Sequence, residues 1–192
     1  MRRLIPCLSV LLLLVLNGCM EEKINALDVE VFNGAGDSLG VAKISEDSKG
    51  VTVKLNLEGL PPGEHGVHIH EEGLCDAPDF KTAGNHFNPD DKEHGLLHPE
   101  GAHVGDLPNI IVEDDGTVIA ELMAPAATLK EGKASLFGKN GTAIIISEEK
   151  DDGMTQPTGE SGARIACGVI SKEVAKKKKV IEEPVDEAEK KK

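Results

Sequence analysis

All seven histidines of this 192-residue chain lie in one short segment, between His65 and His103. Four side chains in and just after that segment form a candidate metal site: His86, His94, His103 and Asp106. Three imidazole nitrogens and one carboxylate oxygen suit tetrahedral zinc, and a site closed by four protein ligands has no position for water. The spacing therefore predicts a structural zinc site that organises the segment around it.

A second pair of histidines, His68 and His70, alternates with Val67 and Ile69. On a β-strand, residues two apart project from the same face, so both imidazoles would lie within reach of one ion. Taken alone, the pair is equally consistent with a half-exposed strand face that has no role in chemistry. The neighbouring three-histidine, one-aspartate series favours a second metal.

The elements that must position these side chains are short strands. Apolar and polar residues alternate with the period of two that is typical of a half-buried strand, and Gly, Pro or Asp-Gly turns separate the runs. No segment has a convincing helical pattern, so we predict an all-β antiparallel sandwich or barrel. The predicted strands are 26–32, 41–46, 51–58, 64–70, 109–113, 117–122, 142–147 and 163–170.

Two long segments, 71–108 and 148–162, lack a strand pattern. Loops of this length are uncommon in a compact domain unless they are functional or are held by a covalent bond or a metal. The first loop contains most of the candidate ligands, which agrees with a metal-organised loop.

The composition excludes some function classes. Aromatic residues make up 2% of the chain, with no Trp or Tyr, which rules out tyrosyl chemistry and argues against base stacking. The segment from Cys19 to Ile170 carries 11 basic and 28 acidic residues, and so acidic a domain would repel polyanions. We expect no nucleic-acid partner.

The N-terminal sequence predicts an export signal. Arg2 and Arg3 precede an apolar run at 4–16 that is too short to span a bilayer. The run ends in Leu16-Asn17-Gly18-Cys19, which resembles a bacterial lipoprotein cleavage site. We predict a signal peptide at 1–18, lipid on Cys19, a linker at 19–25, and a location on the outer face of the bacterial cytoplasmic membrane. An ordinary cleaved signal, giving a periplasmic or extracellular protein, is the alternative.

The C-terminal segment 172–192 is rich in charge and includes the lysine run 176–179. Its composition predicts a disordered tail, and contact of the lysines with anionic lipid or cell-wall polymer is the alternative.

Cys75 and Cys167 remain once the signal cysteine Cys7 and Cys19 are set aside. Two thiols in an exported protein favour a disulfide.

Several stretches together resemble the copper/zinc superoxide dismutase family, in the family's order and across about residues 26–171. They are Gly66-Val67-His68-Ile69-His70-Glu71, Gly84-Asn85-His86-Phe87-Asn88-Pro89, His94, His103-Val104-Gly105-Asp106-Leu107 and Gly162-Ala163-Arg164-Ile165-Ala166-Cys167-Gly168-Val169-Ile170. The resemblance implies an eight-stranded Greek-key barrel, with copper and zinc on its outer face and a disulfide between Cys75 and Cys167. The implied reaction converts superoxide to dioxygen and hydrogen peroxide.

The resemblance also implies a role for each site residue. Arg164 would hold the anionic substrate, Asp151 would link zinc-side and copper-side histidines, and His86 would bridge both metals and take part in catalysis. His65 and His98 are assigned no metal. The implied copper ligands are His68, His70 and His86, and the implied zinc ligands are His86, His94, His103 and Asp106.

The chain departs from the family pattern at one ligand position. Where the family has a fourth copper histidine, at the end of the seventh strand, this chain has Ser147. A neutral hydroxyl is a poor copper ligand. We therefore expect full zinc occupancy, weak or partial copper occupancy and an impaired superoxide dismutase. The alternatives are an inactive zinc-structured scaffold and a copper-binding or copper-passing surface protein. A copper donor is a further partner to expect, and the oligomeric state stays open.

Overall fold

The computed structural model describes residues 24–138 and 140–176, and the fold of these residues is almost entirely β. The signal peptide predicted at 1–18 and the lipid predicted on Cys19 lie outside the described residues. No helix within the described ranges has the length and apolar character needed to cross a membrane. The strands are β1 (Ala26–Asn33), β2 (Ser38–Asp47), β3 (Gly50–Leu57), β4 (Gly63–His65), β5 (Val67–His70), β6 (Ile110–Val112), β7 (Val118–Ala124), β8 (Thr142–Ser147) and β9 (Arg164–Ile170).

Seven of these strands form one curled antiparallel sheet in the order β5-β8-β9-β1-β2-β3-β7, and β4 pairs with β6. The chain passes from β3 to β5 at the far edge of the sheet, returns to β7 beside β3, and crosses again to β8. These long crossovers are the Greek-key connections of the predicted barrel. The predicted fold class is therefore confirmed.

One predicted strand, 64–70, is two strands in the structure. The backbone changes partners at Gly66, so β4 pairs with β6 while β5 pairs with β8. A Cβ at Gly66 would crowd the side chains of His68 and Ser161, and the absence of a side chain allows the close approach here. The prediction of eight strands thus becomes nine.

The alternation in each strand sets which residues form the core. On β5, Val67 and Ile69 point into the barrel and pack in the main apolar cluster. A second, smaller apolar cluster lies on the outer side, between the first long loop and strands β8 and β9. It consists of Phe80, Ala83, Ala143, Ile145 and Cys167.

A disulfide ties this outer loop to the barrel. Cys75 and Cys167 are bonded across a sequence separation of 92 residues, with their Cα atoms 5.7 Å apart, so the predicted disulfide is confirmed. Because it closes a long loop, the chain-entropy model gives it about 4 to 5 kcal/mol of stabilisation.

The first and the last described residues of the chain pack against the barrel core. Ile24, Val174 and Ala175 all pack against the main core. The segment expected to be disordered from residue 172 begins with helical residues 172–176, and the rest of it lies outside the described residues. Apolar contact with the barrel end explains this helical start.

Glu46, at the end of β2, connects this end of the barrel to the loop after β7. Its carboxylate accepts hydrogen bonds from Lys130 Nζ at 2.7 Å, from the Leu129 backbone N–H at 2.9 Å and from Thr128 Oγ1 at 2.9 Å. Burial would raise the pKa of Glu46, but these three donors outweigh that effect and hold the pKa below its usual value. The ionised carboxylate therefore stabilises the fold.

We predict that Glu46→Gln lowers the free energy of unfolding at pH 7 by about 1 to 3 kcal/mol, the value typical of hydrogen bonds to a charged group. Since the folded-state pKa is depressed, the contribution is present above the unfolded-state pKa of about 4.3 and disappears as the pH falls through the folded-state pKa. Denaturant unfolding between pH 3 and pH 7 should show the two proteins converging at low pH. Glu121→Gln, which removes only an exposed pair with Lys54, is the matched control and should change stability little. Equal stability of the Glu46 variant and the parent at pH 7 would contradict this account.

Candidate metal centre

Strand β5 aims His68 and His70 away from the core, towards the outer face of the barrel. Their partners on β8 are Ile145 and Ala143, which belong to the outer apolar cluster. The long loops cover this face, so His68 is 0% exposed and His70 is 2% exposed. Both imidazoles are therefore held in a buried environment.

The first long loop reaches the site by following the free edge of β5. Phe87 N–H donates to Ile69 O at 2.8 Å, and Ile69 N–H donates to Gly105 O at 2.8 Å. A side chain at Gly105 would overlap the Ile69 carbonyl, so only glycine permits this approach. The pairing places His86 opposite His70 and Asp106 opposite His68. Residues far apart in the sequence are thus brought together by backbone hydrogen bonds.

Three imidazoles converge on one carboxylate oxygen, Oδ1 of Asp106. The Nδ1 atoms of His86, His94 and His103 lie 3.0, 3.1 and 3.2 Å from it. Zinc bonds of about 2.0 to 2.1 Å imply a tetrahedron with edges of about 3.3 Å, close to these separations. The other oxygen, Oδ2, accepts the backbone N–H groups of Gly95 at 2.9 Å and His103 at 3.0 Å, which fix the carboxylate.

One buried ring nitrogen in this cluster, Nδ1 of His68, has no hydrogen-bond partner among the described residues. Buried polar atoms of folded proteins are almost always satisfied, so an orphaned nitrogen indicates a missing ligand. The ligand atoms of His68, His86, His94 and Asp106 also lie within 4.8 Å of one another, and all four side chains are buried. The donor set and the orphaned atom fit bound metal.

The charges at the centre are set by Asp106 and His94. Burial would raise the pKa of Asp106, but hydrogen bonds from His103, His86 and His94 hold it far below its usual value. Burial would lower the pKa of His94, but its bonds to Asp106 and Asp151 raise it to about 9. The carboxylates therefore attract positive charge into this buried position, and a divalent cation supplies such charge.

Asp151, on the second long loop, joins the two halves of the site. Its Oδ2 accepts from His68 Nε2 at 2.7 Å, and its Oδ1 accepts from His94 Nε2 at 3.1 Å. Because an ionised carboxylate only accepts, both Nε2 atoms carry a proton, and a neutral His68 presents the lone pair of its Nδ1. Burial would raise the pKa of Asp151, but these two imidazoles outweigh it and keep the carboxylate ionised.

Neighbouring backbone and amide groups hold Asp151 in place. Asn109 donates to the Asp151 carbonyl at 2.8 Å and accepts the Asp151 backbone N–H at 3.0 Å. Gly159 packs so closely against the carboxylate that a side chain there would overlap it. Sequence reasoning identified neither Asn109 nor Gly159, since no local pattern distinguishes them from other loop residues.

The second half of the site contains His68, His70 and His86. The rings of His68 and His86 stack with centroids 4.0 Å apart, and the rings of His70 and His86 meet edge to face at 4.9 Å. His70 Nδ1 donates to the Gly84 carbonyl at 3.0 Å, which leaves Nε2 with its lone pair. Burial, with the nearby His86, lowers the pKa of His70 to about 2, and burial lowers the pKa of His86 to about 4. Neutral imidazole is the form that binds metal.

Ser147 lies at the end of β8 on the same face as these imidazoles. It follows Ile145, the partner of His68, by two residues, and its backbone N–H donates to Gly66 O at 2.9 Å. Its carbonyl accepts from His65 Nδ1 at 2.9 Å. His65 Nε2 faces the Pro61 carbonyl at 2.7 Å, so both His65 nitrogens contact backbone carbonyls and not the metal cluster.

Arg164, at the start of β9, is held beside the His70 side of the site. Its Nη1 donates to the Phe80 carbonyl at 2.8 Å and its Nη2 donates to the Gly84 carbonyl at 2.7 Å. The Gly84 oxygen therefore accepts from both Arg164 and His70.

His98 is separate from the cluster, and its Nδ1 accepts only the Glu100 backbone N–H at 3.2 Å.

The chain was compared with known families, proteins and structures. The model of the family described as copper/zinc superoxide dismutase (SODC) matches residues 38–170. The Cu-Zn superoxide dismutase 2 of Aquifex aeolicus is 47% identical over 160 residues, which cover 82% of this chain and 93% of that protein. The superoxide dismutase-like protein YojM of Bacillus subtilis is 44% identical over 145 residues, covering 74% of each chain.

Solved structures show the same likeness. A mutant of the SOD-like protein from Bacillus subtilis has a TM-score of 0.73 and 43% identity, covering 75% of this chain and 97% of that one. The Cu/Zn superoxide dismutase from Brucella abortus has a TM-score of 0.62 and 31% identity, covering 76% of this chain and 99% of that one.

We predict that Asp151→Ala lowers the metal affinity of the centre by about 10- to 100-fold, because groups that orient metal ligands typically have effects of this size. The variant leaves the Nε2 atoms of His68 and His94 without their common acceptor. Competition with a zinc chelator measures the affinity. Asp152→Ala is the matched control, since the side chain of Asp152 bonds, within the described ranges, only to Met154 and Thr155 in its own turn. Equal affinity of the Asp151 and Asp152 variants would contradict the role given to Asp151.

Proposed function

The chain belongs to the copper/zinc superoxide dismutase family, and from this premise we propose that it is an exported superoxide dismutase-like protein with a complete zinc site and a reduced copper site. The main observation behind the proposal is the orientation of the His68 and His70 rings, which leaves one ring nitrogen of each free to bind a metal. Asp151 and the Gly84 carbonyl take one N–H each from His68 and His70, so that His68 Nδ1 and His70 Nε2 are left as lone-pair donors.

We assign zinc to His86, His94, His103 and Asp106. Support comes from the three Nδ1 atoms that lie 3.0 to 3.2 Å from Asp106 Oδ1. With four protein ligands, this zinc is structural and has no water to activate. Its role is to hold the first long loop, and therefore His86, in position.

We assign copper to His68, His70 and His86. His86 belongs to both sets, since it contacts Asp106 on one side and the rings of His68 and His70 on the other. When bound, copper supplies one-electron exchange with superoxide, giving dioxygen in one half-reaction and hydrogen peroxide in the other. The chain's own part is to hold an anion beside the copper position with Arg164 and to hold His86 between the two metal positions, where it would take part in catalysis.

Ser147 is the reason for proposing impaired activity. Imidazole suits copper in both oxidation states, whereas a neutral hydroxyl is a poor ligand. Loss of a ligand should cost at least the 10- to 100-fold in affinity that follows loss of a supporting group. We therefore propose nearly stoichiometric zinc and less than stoichiometric copper in the purified protein.

The negative charge of the domain is a second factor that affects activity. Between Cys19 and Ile170 there are 28 acidic and 11 basic residues, so the long-range field repels an anionic substrate. Arg164 is left to attract superoxide at close range. Slow association is a second reason to propose reduced turnover.

A second candidate function is a copper-binding or copper-passing protein. The observation that favours it is the three-imidazole set without a fourth histidine, because three imidazoles hold Cu(I) while leaving one side open for exchange. A catalytically inactive, zinc-structured scaffold is the remaining alternative. The three differ in copper binding and turnover, so one set of variants can separate them.

We further propose that the domain spans 26–171 and works outside the cytoplasm, anchored through lipid on Cys19. The disulfide between Cys75 and Cys167 supports an oxidising compartment, since such bonds are rare in the cytosol. The N-terminal sequence supports a lipoprotein signal at 1–18.

We predict that Ser147→His raises copper affinity at least about tenfold and raises the rate of superoxide dismutation, because it adds the missing imidazole. Metal analysis after loading and a dismutation assay check both effects. Ser147→Ala is the matched control and should leave copper affinity unchanged if the hydroxyl is not a ligand.

Other outcomes distinguish the candidates. No copper binding by the parent protein would favour the scaffold, and reversible Cu(I) exchange without turnover would favour the carrier. If copper content and rate both fail to rise in Ser147→His, the assignment of position 147 is wrong.

A further inference from the structure

Phe80 has a backbone conformation that is rare for an aromatic residue. Its φ and ψ are 54° and 23°, in the left-handed region. A bulky side chain in this region is a genuine outlier, and such strain persists only where the surrounding structure imposes it. The residue stands just before the single 3-10 turn Lys81–Ala83 in the first long loop.

The side chain of Phe80 explains how this conformation is held. It is 1% exposed and packs in the outer apolar cluster with Ala83, Ala143, Ile145 and Cys167. The cluster lies under the disulfide, with Cys75 packed against it. Burial of the ring therefore anchors the turn to strands β8 and β9.

The backbone of Phe80 has a specific contact with the site. Its carbonyl accepts the Ala83 N–H at 3.1 Å and Arg164 Nη1 at 2.8 Å. The turn after it brings the Gly84 carbonyl to Arg164 Nη2 at 2.7 Å. The guanidinium thus spans two carbonyls at the two ends of one turn, and a rotation of the peptide after Phe80 would remove one of them.

We infer that Phe80 is a positioning residue for Arg164. Its buried ring holds the turn, and its left-handed backbone aims the carbonyl that fixes one side of the guanidinium. The inference rests on the proposed function in one respect, namely that Arg164 holds an anion beside the copper position. A merely structural Phe80 would stabilise the fold without controlling Arg164.

The test compares Phe80→Leu with Phe80→Ile. The two side chains are isomers, but the β-branch of Ile opposes the left-handed conformation more strongly. If the backbone of residue 80 aims the carbonyl, Ile should release Arg164 while Leu largely retains it. Phe137→Leu is the control for loss of an aromatic ring elsewhere, because Phe137 packs in the main core.

The composition of the chain makes a direct readout available. Apart from Arg2 and Arg3, Arg164 is the only arginine. Modification by phenylglyoxal, located by peptide mass mapping, therefore reports this guanidinium without any metal. We expect the Phe80→Ile variant to react about tenfold faster than the parent, the factor that corresponds to loss of one hydrogen bond to a charged group. The Phe80→Leu and Phe137→Leu variants should stay within about twofold of the parent, well below the effect of losing that bond.

A second readout is the affinity of the copper-loaded protein for azide, an anion that titrates the position beside Arg164. It should weaken about tenfold in Phe80→Ile, by the same loss of one hydrogen bond, and be nearly unchanged in Phe80→Leu. Equal arginine reactivity in the Ile and Leu variants would overturn the inference. If the Ile variant does not fold, the test compares Phe80→Ala with Phe80→Leu. Because Ala removes the anchoring side chain, Arg164 should react faster with phenylglyoxal in the Ala variant. Equal rates in the two variants would overturn the inference.

The positioning role of Phe80 and the proposed function can be refuted separately. Faster modification of Arg164 in Phe80→Ile, in a protein that holds no copper, would refute the proposed function and leave the positioning role intact. Copper binding and dismutation by the parent, with unchanged arginine reactivity in Phe80→Ile, would support the proposed function and refute the positioning role.

Discussion

One buried carboxylate oxygen, Oδ1 of Asp106, is the point on which the site is organised. Three imidazole nitrogens lie within 3.2 Å of it, and two backbone N–H groups fix the other oxygen. These three histidines belong to a long loop with one short turn of regular structure, so this cluster, the pairing with β5, the outer apolar cluster and the disulfide determine the loop's path. The same cluster orients His86, which also faces His68 and His70. The geometry of the second metal position therefore depends on the integrity of the first.

The barrel contributes a rigid surface and the loops contribute chemistry. Strand β5 can display two histidines outward only because Val67 and Ile69 are committed to the core. Asp151 then links the second long loop to both halves of the site, and the Gly84 carbonyl links His70 to Arg164. His68 and His94 are thus oriented by Asp151, and His70 by the Gly84 carbonyl, none of which is an assigned metal ligand. Such outer contacts fix ring orientation before metal arrives, which lowers the entropic cost of binding.

Much of this was predictable from the sequence because the strands are amphipathic. Alternation indicated most of the main strands and apolar runs indicated the buried strands 142–147 and 163–170, while the histidine spacing with the family motifs identified the residues that the fold brings together. The break of 64–70 at Gly66 was missed because the alternation continues unchanged through a change of strand partner. The roles of Asn109, Gly159 and the Phe80 carbonyl were missed because backbone acceptors and close packing leave no signature in residue type. The helical start of 172–176 depends on contact with the barrel end, which a local pattern does not contain.

The position of Ser147 shows why loss of one ligand need not disturb the rest. Its backbone N–H pairs with Gly66 and its carbonyl accepts from His65, so β8 continues its pairing on the β5 side, while its pairing with β9 shifts between Ile146 and Ser147. The orientations of His68 and His70 come from Asp151 and Gly84, neither of which involves residue 147. The substitution therefore removes a donor atom from a site whose other three donors stay aligned. From this separation between the groups that would bind copper and the groups that orient them, we propose that residue 147 affects copper retention and not folding or zinc binding.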